Sequence, residues 1–253
     1  MRENRSGVKD LIYLENISVL FGDFKALDRV IFFMSVGELR FLIGPNGAGK
    51  TTLLDVICRK VKESSGRIFF EEEDFLHSSI HRVARMGISR KFQSPSVFPG
   101  LTVMENMELA YPRARGLFSA LRCRFSSAEL DEIGEILKRV NLAERRNSPA
   151  AELSHGQKQW LEIALSLIQK PKLLLVDEPA AGMTREERNR TGEILRDIAA
   201  HTSVLVVEHD MKFVEAFSRK VSVLHEGRII CEGSFAEVSR NSRVLSVYLG
   251  RGE

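Results

Sequence analysis

The first apolar segments of the chain follow the pattern expected of β-strands. Residues 11–21 and 26–36 carry alternating or continuous apolar side chains. Gly22 and Asp23, which lie between these segments, are residues that favour tight turns. The pattern therefore predicts a β-hairpin near the start of the chain.

A shorter apolar segment, residues 39–43, leads into a glycine-rich stretch. Behind that stretch, residues 53–57 place Leu53, Leu54, Val56 and Ile57 at helical spacing. Apolar residues at this spacing are typical of a helix that buries one face. The glycine-rich stretch is therefore predicted to join a buried strand to a helix.

The middle of the chain, residues 94–150, has the spacing of helices and is interrupted by prolines. Ser126 and Glu129 have the spacing of a capping box, which marks the start of a helix. The residues predicted to share the apolar face of this helix are Leu130, Ile133, Ile136, Leu137 and Val140. This region is therefore expected to be an inserted helical part of the fold.

The last third of the chain alternates short apolar strands with helices. Residues 173–176 and 203–207 are predicted strands, and Thr184 with Glu187 predicts the capped start of a helix reaching about Ala200. The remaining predicted elements are a short helix at 211–217 and a hairpin formed by 221–224 and 228–231. Such alternation predicts an α/β fold with a mostly parallel sheet and helices on both faces.

Composition excludes several classes of protein. The 253 residues are 43% hydrophobic and 28% charged, with a net charge of +3, which is too small to indicate nucleic-acid binding through bulk charge. The three cysteines are far apart and form no CxxC pair, as expected in a reducing compartment.

The apolar runs are far shorter than the ~20 residues of a spanning helix. The start of the chain is polar and does not have the form of a secretory signal. We therefore expect a cytosolic protein.

The glycine-rich stretch matches the phosphate-binding loop GxxxxGK[ST] in full. In this loop the backbone N–H groups and the helix N-terminus face the phosphates of a nucleotide. Lys50 is expected to reach the β- and γ-phosphates, and the Thr51 hydroxyl is expected to bind Mg²⁺. The predicted nucleotide contacts are Gly44, Pro45, Asn46, Gly47, Ala48, Gly49, Lys50, Thr51 and Thr52.

Two carboxylates, Asp177 and Glu178, follow the predicted strand 173–176. Asp177 is suited to bind Mg²⁺ or its water, and Glu178 is suited to polarise an attacking water. Successive side chains of a strand point in opposite directions, which allows the two carboxylates different roles.

Residues 153–157 read LSHGQ and lie between these two motifs. With this segment the chain resembles the ATP-binding subunits of ATP-binding cassette (ABC) transporters over almost its whole length. The resemblance implies a P-loop NTPase fold with a mostly parallel core sheet, an antiparallel β subdomain and an inserted α-helical subdomain. It implies one domain, residues 9–250, in which 9–93 and 158–250 form the core and 94–157 the insertion.

The resemblance also implies roles for residues outside the phosphate loop. Phe21 would stack on adenine, Gln93 would contact Mg²⁺ or its water, and His209 would contact the γ-phosphate and position the water. Catalysis is thus expected to depend on Glu178, His209, Gln93 and Lys50, with Thr51, Gln93 and Asp177 serving the metal. The signature residues Ser154, Gly156 and Gln157 would face the γ-phosphate of ATP held by a second ATPase subunit in a head-to-tail dimer.

Three features depart from the common pattern of this family. His155 replaces a glycine of the signature, and residues 179–184 lack an aspartate that many relatives use between the two sites. Cys58, Arg59 and Lys60 end the helix after the phosphate loop where many relatives have a glycine. We expect none of these to abolish ATP binding, and the second concerns the coupling between subunits.

The finer resemblance is to the ATP-binding subunit of urea transporters, and it rests on residues 90–93, 153–163, 178–184, 207–211 and 247–251. It implies urea import as the function. Permease subunits, a second and different ATPase subunit, and a substrate-binding protein are the implied partners, with the chain on the cytoplasmic side of the membrane. Branched-chain amino acids or amides remain an alternative cargo. A soluble ATPase acting on nucleic acid or the ribosome is a further alternative, although no basic tail or second cassette supports it. The basic stretch 113–125 fits either a lipid or permease contact or a solvated helix.

Overall fold

A four-stranded antiparallel sheet begins the fold. The computed structural model describes residues 10–90, 97–112 and 125–249. The strand order is β2-β1-β4-β5, and β1 pairs with β2 as the predicted hairpin, which is confirmed. The strands of this sheet are β1 (Asp10–Phe21), β2 (Phe24–Ser35), β4 (Ser65–Phe70) and β5 (Glu73–Asp74).

A second sheet of six strands has the order β10-β9-β3-β8-β7-β6. Every neighbouring pair is parallel except β9 and β10, which form an antiparallel hairpin. The predicted mostly parallel sheet is therefore confirmed. Its strands are β3 (Leu39–Ile43), β6 (Ile88–Arg90), β7 (Leu173–Asp177), β8 (Ser203–Val207), β9 (Lys220–His225) and β10 (Arg228–Gly233).

Helices connect these strands and form the region between β6 and β7. The predicted capping boxes at Ser126 and Thr184 are both present. The helices of the described residues are α1 (Lys50–Ile57), α2 (Ile80–Met86), α3 (Val103–Ala110), α4 (Ser127–Arg139), α5 (His155–Leu167), α6 (Arg185–Ala199), α7 (Met211–Phe217), α8 (Phe235–Arg240) and α9 (Ser242–Leu249).

The apolar face predicted for α4 is buried over most of its length. Ile133, Leu137 and Val140 are buried along α4, but Leu130 is 37% exposed. Leu130 lies near the start of α4, and a place on the apolar face does not by itself require burial.

Strand alternation divides the interior into two cores on opposite faces of the six-stranded sheet. Phe41 of β3 packs in a core with residues of α5 and α6, whereas its neighbour Leu42 packs with residues of α1 and the first hairpin. Successive side chains of a strand point to opposite faces, so both faces of the sheet must be covered. This arrangement confirms the predicted helices on both faces.

Within the described residues, no helix combines the length and the apolar character needed to cross a membrane. Gln93 and nearly all of the basic stretch 113–125 lie outside the described residues.

Candidate functional site

Three neighbouring parallel strands deliver the predicted site residues to one edge of the sheet. β3 lies between β9 and β8, and β8 pairs with β7. Val207 at the end of β8 is in register with Leu42 of β3 and with Asp177 of β7. The residues that follow these strands therefore meet at the carboxyl edge, where open α/β sheets bind their ligands.

The phosphate loop follows β3 and requires glycine at two positions. Gly44 and Gly49 have φ angles of +156° and +102°, a region that favours glycine. A Cβ atom on Gly44 would lie 2.1 Å from the carbonyl oxygen of Leu224, and one on Gly49 would lie 2.5 Å from that of Ala26. Two neighbouring strands thus hold the loop in a path that only glycine permits.

The N-terminus of α1 is open to a ligand. Gly49 is the N-cap residue, and no side chain in the described part of the chain caps this end. The first N–H groups of a helix need an acceptor, and the helix dipole favours an anion there. Thr51, in the first turn, is exposed. The loop therefore fits a phosphate group.

Lys50 is held inside the loop. Its Nζ atom donates hydrogen bonds to the carbonyl oxygens of Gly44 at 2.7 Å and Pro45 at 3.0 Å. Burial lowers the pKa of Lys50, and the nearby carboxylates of Glu178 and Asp177 act in the opposite direction. The lysine thus lies between the phosphate loop and the two carboxylates predicted to act with it.

Asp177, at the end of β7, is paired with a buried arginine. Arg90 donates a hydrogen bond from Nη2 to Asp177 Oδ2 at 3.2 Å, and its Nη1 donates to Asp55 of α1. Burial raises the pKa of Asp177, while the charge of Arg90 opposes that rise. Sequence reasoning gave no role to Arg90, although its position three residues before Gln93 was visible.

Glu178 and His209 lie beside each other. Glu178 has a φ of +46°, a left-handed conformation that is uncommon for a residue other than glycine. The Nδ1 atom of His209 is 3.3 Å from Glu178 Oε1, and both side chains are about half exposed. Such backbone conformations often mark functional sites, because the surrounding structure must enforce them.

Glu208 precedes His209 and is buried, with a side chain directed at backbone N–H groups. It accepts hydrogen bonds from Ala180, His209 and Asp210. Burial raises the pKa of Glu208, and these three N–H groups partly offset the rise. Sequence reasoning gave this residue no role.

The signature residues begin α5 with a capping box. Ser154 is the N-cap, and the reciprocal hydrogen bonds between Ser154 and Gln157 are both present. The Ser154 hydroxyl also donates to Glu187 Oε1 at 2.8 Å, a contact that lowers the pKa of Glu187. The signature is therefore tied to the start of α6.

Gly156 and His155 make further contacts to the segment after β7. A Cβ atom on Gly156 would lie 2.7 Å from Glu187 Oε1, so this position requires glycine while Glu187 stays in place. The His155 ring lies 3.1 Å from the carbonyl oxygen of Ala181. The histidine that departs from the common signature thus contacts the loop that follows Glu178.

Phe21 lies at the tip of the first hairpin and is 52% exposed. Its register partner Phe24 is 62% exposed. The same hairpin contacts the phosphate loop, because Ala26 packs against Gly49. An exposed ring near the loop can stack on a nucleotide base.

The structure brings Lys50, Asp177, Glu178 and His209 together, whereas the signature residues contact the start of α6 and the loop after Glu178. The oxygen donors of Thr51 and Asp177 are of the type that Mg²⁺ prefers. The arrangement fits a nucleoside triphosphate with its metal at the carboxyl edge of the sheet.

Comparisons with protein families agree with this geometry. The model of the ABC transporter family matches residues 27–181, and a branched-chain amino acid ATP-binding cassette transporter model matches residues 228–253. The high-affinity branched-chain amino acid transport ATP-binding protein LivG of Salmonella typhimurium is 34% identical over 249 residues, covering 95% of this chain and 98% of that protein. LivG of Escherichia coli K12 is 33% identical with the same coverage.

Solved structures of ATP-binding cassettes have the same fold. The ADP conformation of the cassette MJ1267 superposes with a TM-score of 0.83 at 30% identity, covering 96% of this chain and 99% of that one. A nucleotide-free cassette from an ABC transporter gives 0.81 at 30% identity, covering 94% and 98%. The dimeric structure of the cassette MJ0796 gives 0.74 at 25% identity, covering 88% and 98%.

Proposed function

The chain belongs to the ABC transporter family, and we propose that it is the ATP-hydrolysing subunit of an importer for branched-chain amino acids. The observation that supports hydrolysis is the meeting of the phosphate loop with Asp177, Glu178 and His209 at one edge of the sheet. The family comparisons support the cargo, because the LivG proteins are named for branched-chain amino acid transport and match nearly the whole chain.

The cargo differs from the urea expected from the sequence. The match at residues 228–253 is to a branched-chain amino acid cassette model, and the relatives above carry the same name. The described residues of the site do not indicate urea, since the cargo of an importer does not contact its ATPase subunit. Branched-chain amino acids therefore replace urea as the proposed cargo.

The proposed grip on ATP uses the phosphate loop and its lysine. The N–H groups at the start of α1 would bind the phosphate oxygens, and Lys50 would exchange its contacts with the Gly44 and Pro45 carbonyls for the β- and γ-phosphates. Phe21 would stack on adenine. Thr51, Asp177 and Gln93 would hold Mg²⁺, which when bound would partly neutralise the charge of the phosphates.

Glu178 and His209 would act on water. The Glu178 carboxylate would accept a proton from the water that attacks the γ-phosphorus, while the bond from that phosphorus to ADP breaks. His209, whose Nδ1 lies 3.3 Å from Glu178, would orient the water and contact the γ-phosphate.

Ser154, Gly156 and Gln157 would complete the site of a second subunit. Ser154 is exposed at the N-terminus of α5, where Glu187 accepts hydrogen bonds from the Ser154 hydroxyl and from the Gly156 N–H. A phosphate of ATP would take the place of the Glu187 carboxylate as the acceptor of these bonds. Since Ser154 and Gly156 contact Glu187 at the start of α6 of their own chain, we propose that Ser154, Gly156 and Gln157 bind ATP held by a partner in a head-to-tail dimer. The dimeric MJ0796 cassette supports this arrangement. The partner is proposed to be a different ATPase chain.

The helical insertion, residues 94–157, is the proposed link to the permease subunits. A groove of about 270 Å³ lies between β6, α3 and α5, and Arg90 at the end of β6 lines it. Phe98 and Leu109 line it and are 58% and 63% exposed. An exposed apolar groove of this kind suits a partner helix. Docking there would place the chain on the cytoplasmic face of the membrane, with a substrate-binding protein on the other side.

Uptake of labelled leucine and labelled urea by a strain lacking this chain tests the proposal. Complementation uses the wild type, Glu178→Gln, or Glu186→Gln, which makes the same chemical change on an exposed residue of α6. We expect leucine uptake to return with the wild type and Glu186→Gln, and to stay at background with Glu178→Gln.

The other outcomes separate cargo from mechanism. Urea uptake restored in place of leucine would overturn the cargo and keep the ATPase mechanism. Full leucine uptake with Glu178→Gln would overturn the assigned role of Glu178. Failure of the wild type to restore either uptake would overturn the transport proposal itself.

A further inference from the structure

Glu208 connects the two loops that carry the residues proposed to act on water. Its side chain is 1% exposed. Oε1 accepts a hydrogen bond from the N–H of Ala180 at 3.1 Å, in the loop after β7. Oε2 accepts from the N–H of His209 at 3.1 Å and is 3.5 Å from that of Asp210, in the loop after β8. One carboxylate thus bridges two loops that belong to different strands.

The bridge lies directly behind Glu178 and His209. Glu178 is two residues before Ala180, and its own N–H donates to Val207 O at 2.9 Å. The left-handed φ of Glu178 fixes the direction of its side chain, so a shift of the loop at Ala180 would move the carboxylate. On the other side, the backbone of His209 is itself held by Glu208.

We propose that Glu208 is a positioning residue that sets the relative placement of Glu178 and His209 for attack of water on ATP. This inference rests on the proposed hydrolysis at Glu178. Reacting groups must be held in near-attack geometry, and a displacement of about 1 Å can lower a rate roughly 10²-fold. A carboxylate suits this position because both of its oxygens accept hydrogen bonds, so both loops are satisfied at once.

An amide does not replace it. The side chain of glutamine has the same shape but only one acceptor, and its NH₂ group would face the N–H groups of one of the two loops. Glu208→Gln therefore releases one loop. The phosphate loop and Lys50 are expected to keep their geometry, because the Glu208 side chain bonds to Ala180, His209 and Asp210.

The test measures ATP turnover by the assembled transporter that contains this chain, because the proposed site is completed by a second ATPase subunit. We expect Glu208→Gln to lower kcat at least about 10-fold and to change KM for ATP less than about 3-fold, because ground-state binding is retained. The matched control is Glu38→Gln, which alters another largely buried carboxylate that accepts a backbone N–H, that of Ser35. Glu38 precedes β3, at the opposite edge of the sheet from the site.

Thermal unfolding of both variants separates placement from stability. A fall in kcat for Glu208→Gln but not for Glu38→Gln, measured at a temperature at which both variants are folded, would support positioning. If Glu208→Gln does not fold, Glu208→Asp keeps the charge but is one methylene too short to reach both loops, and the same fall in kcat is expected. A kcat for the Glu208 variants equal to that of Glu38→Gln would overturn the inference.

A double-mutant comparison with His209→Ala adds a readout that a purely structural role would not change. If Glu208 acts through His209 and Glu178, the fold-loss caused by Glu208→Gln should be several times smaller when His209 is already alanine. Independent, multiplicative losses would contradict the inference. Glu178→Gln is measured alongside, and normal turnover by that variant would count against the proposed function rather than against Glu208 alone.

Discussion

At the scale of single residues, Arg90 neutralises two carboxylates that come from different elements. Its side chain is 3% exposed, and it pairs with Asp177 and Asp55. Removing one partner of a buried ion pair leaves a charge without compensation, which typically costs about 3–5 kcal/mol. Arg90 therefore matters for stability as well as for the electrostatics of Asp177, the proposed metal ligand.

We predict that Arg90→Met lowers the free energy of unfolding by about 3 kcal/mol at pH 8 and by less at pH 5. Burial already raises the pKa of Asp177, and loss of Arg90 would raise it further. A carboxyl whose folded-state pKa is raised destabilises the fold as pH rises through that pKa, because the charged form is the disfavoured one. Urea denaturation at both pH values, each relative to the wild type, checks the prediction.

The matched control for Arg90 is Arg67→Met. Arg67 also pairs with an aspartate, Asp74, but its side chain is 60% exposed. Exposed pairs contribute about 0–1 kcal/mol, so a small loss is expected. If Arg90→Met lowered the free energy of unfolding by the same amount at pH 5 and pH 8, the charge of Asp177 would not be the cause of the loss.

Sequence motifs predicted which residues gather at the candidate site but not what holds them there. The phosphate-loop pattern and the Asp177–Glu178 pair predicted residues that act on the same nucleotide, and the structure brings Lys50 beside both carboxylates. The left-handed Glu178 and the bridge at Glu208 were not predictable. Both depend on contacts between loops far apart in the chain, and no local pattern encodes such contacts.

At the scale of elements, the turn between β4 and β5 adopts a conformation that its residues do not favour. Glu71 and Glu72 have φ angles of +48° and +73°, as in the tight turns that usually contain asparagine and glycine. The left-handed conformation costs a residue with a Cβ atom roughly 1–2 kcal/mol. Glycine avoids this cost but loses more conformational entropy on folding.

Glu72→Gly is predicted to raise the free energy of unfolding by about 0.5–1 kcal/mol, since relief of the left-handed strain outweighs the entropy of glycine. Glu73→Gly, one residue later in β5, is the control. It removes a side chain from an extended position and should destabilise by about 0.5–1 kcal/mol. Chemical denaturation of both variants checks the opposite signs, and destabilisation by Glu72→Gly would contradict the account.

The sequence predicted the elements better than their arrangement. Alternation and apolar runs identified the hairpins and the buried strands, since these depend on local side-chain periodicity. The pairing of β1 with β4 was not predictable, because β2, β3 and α1 lie between these two strands in the chain. The two-residue strand β5 is too short to leave a periodic signal.

At the scale of the whole molecule, each chain is proposed to hold the parts of two half-sites. The phosphate loop, Asp177, Glu178 and His209 form one group at the carboxyl edge. The Ser154 hydroxyl belongs to the other and donates to Glu187 of the same chain. If the signature acts only on ATP held by the partner, a substitution in the signature should lower ATP turnover without weakening ATP binding to its own chain.

We predict that Ser154→Arg leaves ATP binding to the isolated chain within about 2-fold of the wild type but lowers ATP turnover of the assembled transporter at least about 10-fold. The bulky cation would fill the N-terminus of α5 without touching the phosphate loop of its own chain, and loss of transition-state contacts acts on kcat. Lys50→Ala should instead weaken binding to the isolated chain at least about 10-fold. Fluorescent-nucleotide titration and turnover assays, with the exposed Ser239→Arg on α8 as control, distinguish the cases. If Ser154→Arg weakened binding to the isolated chain as much as Lys50→Ala does, the signature would have to serve its own phosphate loop, and the head-to-tail arrangement would lose its basis.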